Sequence, residues 1–291
     1  MNPFSTLADK DETDKQLIKK ILEGQKDALN ELLSRHQPYV YNIAWKMVGN
    51  PDDAADLSQE ALIKIISNLG KFNFDSSFRT WAYSIVRHHF LNDQKKPAKQ
   101  FAANFQELGA ALDAIPNVEL TEFEKQEKAA ITRELRLTCL SGMLLCLTKQ
   151  QRMIFIIGEM FGADHTIGSE IMALSKANFR MKLSKARKDL SHFMQKKCGL
   201  IDKANPCRCH KKVTISLEAG IIDAKKLLYN REEFSTFRQQ LEEDANYLVD
   251  ESTIKYVELH RDHSYKTDFS KKNFLLQILD DVNWKKRLHL N

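Results

Sequence analysis

The chain is predicted to be all-α, and three observations carry that prediction. Apolar residues recur at spacings of three and four along almost the whole 291-residue chain, and several of these stripes begin on side chains that cap helices. The one short β-like run is 213–217. With 43% hydrophobic residues the chain exceeds one usual domain and can bury two or three small helical cores.

The strongest helix start is at Asn50. Asn50 is a capping residue, Pro51 sits where a missing N–H costs nothing, and Asp52 and Asp53 lie on the positive end of the helix dipole. Leu57, Ala61, Leu62, Ile65, Ile66, Leu69 and Phe72 then form a buried stripe, leaving Asp53, Asp56, Gln59, Glu60 and Ile63 on or near a second face. After a short aromatic loop, Asp75, Ser76 and Ser77 offer caps for a helix of opposite chemistry. It carries Phe78, Arg79, Trp81, Tyr83, Arg87, His88, His89, Asn92, Lys95 and Lys96, with no acid until Asp93. Cations interleaved with rings suit nucleic acid, since Lys and Arg neutralise phosphates while aromatic faces stack on unpaired bases. Core packing competes for Phe78 and Trp81.

The residues 16–97 resemble region 2 of bacterial RNA polymerase sigma factors of the extracytoplasmic-function (ECF) type. The resemblance runs without a gap through LLSRHQPYVYNIAWKMVGNPDDA, DAADLSQEAL and NLGKFNFDSSFRTWAYSIVRHHFLND. It implies that the acidic helix docks on the beta-prime coiled coil of core polymerase through Asp53, Asp56, Gln59 and Glu60. It also implies that the loop 71–77 and the following helix capture and open the minus-ten promoter element, with Asn73, Phe74, Ser76, Arg79, Trp81, Tyr83, Arg87 and Asn92 as the residues in contact. Extruding a base costs a few kcal/mol, which an aromatic pocket with Asn or Ser donors offsets.

Pro97 ends the basic helix, and 98–125 reads as a linker with one short helix. A helical pattern runs from after Glu119 to about Met143. Thr148 and Gln151 then form a capping box ahead of the apolar Met153, Ile154, Ile157 and Phe161. A turn and a second helix follow. Ser175 caps a third, in which Phe179, Leu183, Ala186 and Leu190 face inward and the cations face out. This order is that of a helix-turn-helix. The stretch is similar to region 4 of the ECF sigma factors, most clearly in NFRMKLSKARKDL, which implies recognition of the minus-thirty-five element. Ser175, Lys176, Asn178, Arg180 and Lys182 are then near base edges, with Lys185, Arg187 and Lys188 on phosphates. Ala173 stands where the family has a turn glycine, and His165 and Thr166 replace its paired acids.

Beyond this helix, KKCGLIDKANPCRCHKK leaves three readings open: reduced cysteines in a turn, a redox-sensing thiol pair, or a tetrahedral zinc site from Cys198, Cys207, Cys209 and His210, with His260, His263 or His289 as other candidates for the fourth ligand. Cys139 and Cys146, seven apart, read as core. The stretch 211–291 is charge-balanced, with 14 basic and 14 acidic residues, so the excess of +5 lies in the front part. Two amphipathic patterns occur in this tail, one at Leu227, Leu228, Phe234, Phe237 and Leu241 and one at Phe274, Leu275, Ile278, Leu279 and Val282. The expected organisation is sigma region 2 at 1–97, a linker at 98–125, the region 4 helix-turn-helix at 126–197, and a regulatory Cys-containing extension at 198–291.

No apolar run approaches a membrane span and the first residues do not form an export signal, so the expected location is the cytoplasm, on the nucleoid when active. No phosphate loop, nucleophile elbow or paired-His motif points to an enzyme. The resemblance implies a transcription initiation factor whose partners are core RNA polymerase, through the beta-prime coiled coil and the beta subunit, and promoter DNA, with an anti-sigma factor as a further candidate. The alternative is a metal- or thiol-responsive helix-turn-helix repressor that never touches polymerase, which would have no use for the acidic face.

Overall fold

Side-chain caps set many of the helix boundaries in the computed structural model, which describes residues 4, 8–92, 104–225 and 227–228. The helices among them are α1 (Ala8–Leu22), α2 (Lys26–Val48), α3 (Pro51–Ser67), α4 (Phe78–Asn92), α5 (Phe105–Ala114), α6 (Glu122–Glu127), α7 (Ala129–Leu145), α8 (Lys149–Phe155), α9 (His165–Met172), α10 (Lys176–Lys197) and α11 (Cys209–Glu218). A 3-10 turn, Leu69–Lys71, follows α3, and α8 runs on into a π-helical turn, Ile156–Met160. Among the described residues the only extended pairing is a single parallel bridge between Cys198 and Cys207, in keeping with an all-α fold. The run 213–217, read from the sequence as β-like, lies inside α11. There Val213 is buried and the helix packs on α7, so tertiary contact overrides local propensity. The distal linker holds two short helices, α5 and α6, rather than one. Lys95, Lys96, Pro97, His260, His263, His289 and the tail patterns beyond Leu228 lie outside the described residues.

The described residues group into two compact units, 4–92 with 156–181 and 104–155 with 182–228. In the first, α2 and α3 form a hairpin. Gly49 closes α2 in the left-handed region (φ 72°), and the Asn50 side chain accepts from the Asp52 and Asp53 amides at 2.9 and 3.0 Å. Every member of the stripe read from Leu57 to Phe72 is buried. A buried carboxylate, Asp14 of α1, ties three helices together: it lies 3.0 Å from His36 Nε2, 3.1 Å from Arg35 Nη1 and 3.6 Å from Arg79 Nε.

The second unit is built on α7. Leu120, Leu135, Val213 and Ile222 form its small apolar core, flanked by Val118, Ile131, Leu217 and Ile221. The linker and the start of the extension are bound to each other by polar contacts. Lys212 Nζ donates to the Leu112 carbonyl at 2.9 Å, the Val118 amide donates to the Lys211 carbonyl at 2.7 Å, and Lys211 pairs with Glu119. Arg152 is buried and donates from Nε to Leu144 O at 2.9 Å and from Nη2 to Leu145 O and Leu147 O at 2.7 and 3.0 Å, satisfying carbonyls left open at the end of α7. Burial lowers its guanidinium to about 10.

Candidate nucleic-acid interface

On α3, the apolar stripe faces the core, leaving Asp56 and Glu60 exposed and Asp53 and Gln59 half-buried. Glu60 is shared with α4. Its carboxylate lies 3.4 Å from His89 Nε2, while Lys64 Nζ meets His89 Nδ1 at 2.8 Å. Asp56 is therefore the acid with the clearest access to a partner.

Between the two helices, four rings gather. Phe72 and Phe78 are buried; Phe74 and Trp81, half-exposed, lean on Phe72 with centroids 4.7 and 5.3 Å away. Phe74 has φ 64°, a left-handed conformation that costs a bulky L-residue roughly 1–3 kcal/mol and marks loops shaped for a task. Asn73 is exposed and pairs with Asp75, and Ser76 Oγ contacts the Ser77 carbonyl at 3.3 Å. Of the three cap candidates, Ser77 supplies the contact, accepting from the Thr80 amide at 3.1 Å.

Along α4 the candidates divide. Arg79 is drawn toward Asp14 and its side chain is only 12% exposed. Tyr83, read from the sequence as a DNA contact, is 1% exposed, with its ring against Phe4 and Phe161 at 5.3 and 6.2 Å. It is a core residue, and burial raises its phenol. The sequence could not separate it from Trp81, because both are aromatics on one amphipathic helix. Arg87 is half-buried and burial lowers its guanidinium; its Nε has no hydrogen-bond partner. Asn92 is exposed beside the His88 ring, 3.1 Å away.

The helix-turn-helix is formed by α9 and α10. Asp164 caps α9, its Oδ1 accepting from the Thr166 and Ile167 amides at 2.7 and 2.8 Å, so the replacement of acids by His165 and Thr166 leaves the start intact. Ala173 ends α9 at φ 51°, ψ 51°. Gly168 is needed where α9 meets α10, since a Cβ there would lie 2.2 Å from Phe179 Cζ. Ser175 caps α10 by accepting from the Asn178 amide at 3.2 Å. Ser175, Lys176, Asn178, Arg180, Lys185 and Lys188 are exposed and Arg187 is half-buried, while Phe179, Leu183, Ala186 and Leu190 are buried as the periodicity required. Lys182 is half-buried and donates to Gln150 Oε1 at 3.0 Å, which makes it a brace for α8 as well as a cation near the turn. α9 also packs on α4, with Phe161 seated between Tyr39 and Tyr83 at 6.2 Å from each.

Of the four residues read as zinc ligands, His210 is set apart from the three cysteines. His210 lies among Lys125, Lys211, Glu119 and Arg208, and burial together with those cations lowers its imidazole. Among the described residues no three His, Cys, Asp or Glu side chains are grouped closely enough to hold a metal ion as they stand. Asp14 escaped the sequence reading altogether, because nothing in the pattern of α1 marks one of its acids as buried.

Residues 32–99 match the family model for sigma-70 region 2. The chain is 24% identical over 189 residues to the RNA polymerase sigma-H factor of Pseudomonas aeruginosa, covering 63% of this chain and 95% of that protein. It is 26% identical over 192 residues to the ECF RNA polymerase sigma-E factor of Escherichia coli K12, covering 63% and 95%. With the RNA polymerase sigma factor YlaC of Bacillus subtilis it shares 26% over 172 residues, covering 59% and 94%. A helical region 2 with an acidic helix beside an aromatic, basic one defines a sigma-70 type of protein. Within that class the relatives support an ECF sigma factor, and the chain runs beyond the 192 residues it shares with the sigma-E factor.

Proposed function

We propose that the chain is a transcription initiation factor that binds core RNA polymerase through α3, reads a promoter at two elements and traps the opened strand. The observation that carries this reading is the pairing of faces in region 2: exposed acids on α3 beside the half-open rings of Phe74 and Trp81. A repressor has no use for either. Asp56, with Gln59, Glu60 and Asp53 around it, would meet the polymerase beta-prime coiled coil. Asn73, Phe74, Ser76 and Trp81 would hold minus-ten bases, with Arg79, Arg87 and Asn92 placing the backbone. The exposed start of α10 would lie in the major groove at the minus-thirty-five element, with Lys185, Arg187 and Lys188 on phosphates.

The test is promoter-specific transcription by the purified chain with core polymerase, comparing Asp56→Lys with wild type. Asp56 is exposed, so its reversal is expected to leave the unfolding free energy within about 0.5 kcal/mol of wild type while abolishing co-purification with core enzyme. Unaltered co-purification would overturn the assignment of the α3 face.

A further inference from the structure

Four of the five cysteines are gathered on one side of the start of α11. Cys198, just after α10, is bridged in parallel to Cys207, and the Gly199 amide donates to the Cys207 carbonyl at 3.1 Å. Residues opposed in such a bridge send their side chains to the same face, with Cβ atoms about 5 Å apart. Arg208 is extended (φ −125°, ψ 124°), and residues two apart on an extended chain share a face, so Cys209 joins Cys207 and Cys198 there. The fourth thiol comes from α7, which packs on α11. Burial first, and then the Cys209, Cys198, Cys207 and Cys146 sulfurs, raise the Cys139 thiol; Cys146 ends the same helix α7, whereas the other three come from the loop and the start of α11.

The loop that presents these thiols is built to hold its shape. The Cys198 carbonyl accepts from the Ile201 and Asp202 amides at 3.2 and 3.1 Å. Asn205 Nδ2 donates to the Gln195 carbonyl at 2.7 Å, and the Ala204 amide donates to Asp202 Oδ1 at 2.8 Å. Position 199 must be glycine for the strands to approach, because a Cβ there would sit 2.6 Å from the Cys207 carbonyl oxygen. Among the described residues no three such side chains are placed to hold a metal ion as they stand. Rotation about χ1 carries each between staggered wells without moving the backbone.

We propose that Cys139, Cys198, Cys207 and Cys209 form a four-thiolate site for zinc, which joins α7, the end of α10 and the start of α11. The donor set is the soft, tetrahedral one that zinc takes in structural sites. His210 is excluded, since it faces Glu119 and Lys125. Binding exchanges four S–H protons for one Zn²⁺, leaving a site of net charge −2, so uptake releases protons and tightens as pH rises.

The full-length protein, reduced, stripped with a chelator and reloaded with Zn²⁺ alone, is expected to retain one equivalent after desalting. Co²⁺ in its place should give the thiolate charge-transfer and visible bands of a tetrahedral site. Cys139→Ser is expected to weaken retention against a competing chelator by at least about tenfold. Cys146→Ser and His210→Ala should leave it unchanged. Retention well below one equivalent by wild type, loss of zinc in His210→Ala, or wild-type affinity in Cys139→Ser would overturn the site. So would a Cys198–Cys207 disulfide in protein that takes up no zinc. Should Cys139→Ser fail to fold, as judged by circular dichroism, Cys207→Ser and Cys209→Ser decide, and full affinity in both overturns the proposal.

Discussion

Ala173 ends α9 in the left-handed region, where a Cβ costs roughly 1–2 kcal/mol and glycine fits without strain. Part of that gain is cancelled by the greater freedom of glycine in the unfolded chain. Ala173→Gly is therefore expected to stabilise the protein by about 0.5–1 kcal/mol, seen as a higher denaturant midpoint at unchanged slope. A lower midpoint would mean that the turn owes its shape to something other than this residue. Lys46 gives a pH-dependent counterpart. It is 3% exposed, and burial lowers its ammonium from 10.5 to about 7. Its folded value lies below its unfolded one, so between those values the unfolded chain binds more protons and stability rises with pH, being lowest below pH 7. The thermal midpoint of wild type should climb from pH 7 toward pH 10 more steeply than that of Lys46→Met, and equal slopes would refute the burial argument. The departure at Ala173 was visible in the sequence because a glycine was expected there. Lys46 was not, because a cation between Trp45 and Met47 gives no sign of which way it turns.

At the level of elements, periodicity and caps were enough wherever one face had to be buried. The α3 stripe, the Asn50 and Ser175 caps and the Thr148–Gln151 box all stand as read, the last with the Gln151 amide 3.2 Å from Thr148 Oγ1. Pattern failed where one helix carries rings on more than one face. On α4 both Tyr83 and Trp81 fit a DNA-facing reading, and only the packing of Phe4 and Phe161 puts Tyr83 inside. Two defects should accordingly separate. Replacing Arg180 and Lys185 by Ala, both exposed on α10, should weaken duplex binding and reduce the salt slope by about one per lost phosphate contact, without affecting strand opening. Phe74→Ala should leave duplex affinity near wild type and impair melting, since the ring is half-exposed and held in a strained loop. A permanganate footprint with normal opening in Phe74→Ala would remove the loop from the melting step.

At the scale of the whole molecule, chain order was a poor guide to what packs with what. The sequence placed a boundary at Cys198, where the recognition helix gives way to the cysteine-bearing stretch, yet residues 198–228 are continuous with the unit built on α7. Val213 and Ile222 supply half of its four core residues, and the Leu228 amide donates to Glu134 Oε1 at 2.6 Å. Linker and extension residues were hard to assign because each short helix has little apolar surface of its own, and its partner lies about 80 or more residues away, as with Lys128 Nζ donating to Thr214 Oγ1 at 3.0 Å. Where the chain is cut should therefore decide the outcome. Ending it after Lys197 removes Val213, Leu217, Ile221 and Ile222 and exposes Leu120 and Leu135, a loss of about 5 kcal/mol or more, which approaches the stability of a small domain. Ending it after Leu228 keeps every contact named in this unit. The shorter chain is expected to lose protection of α7 amides in hydrogen exchange while the longer keeps it, with the helices of residues 8–92 protected in both. Equal protection of α7 in the two truncations would show that α11 rests on the unit without holding it together.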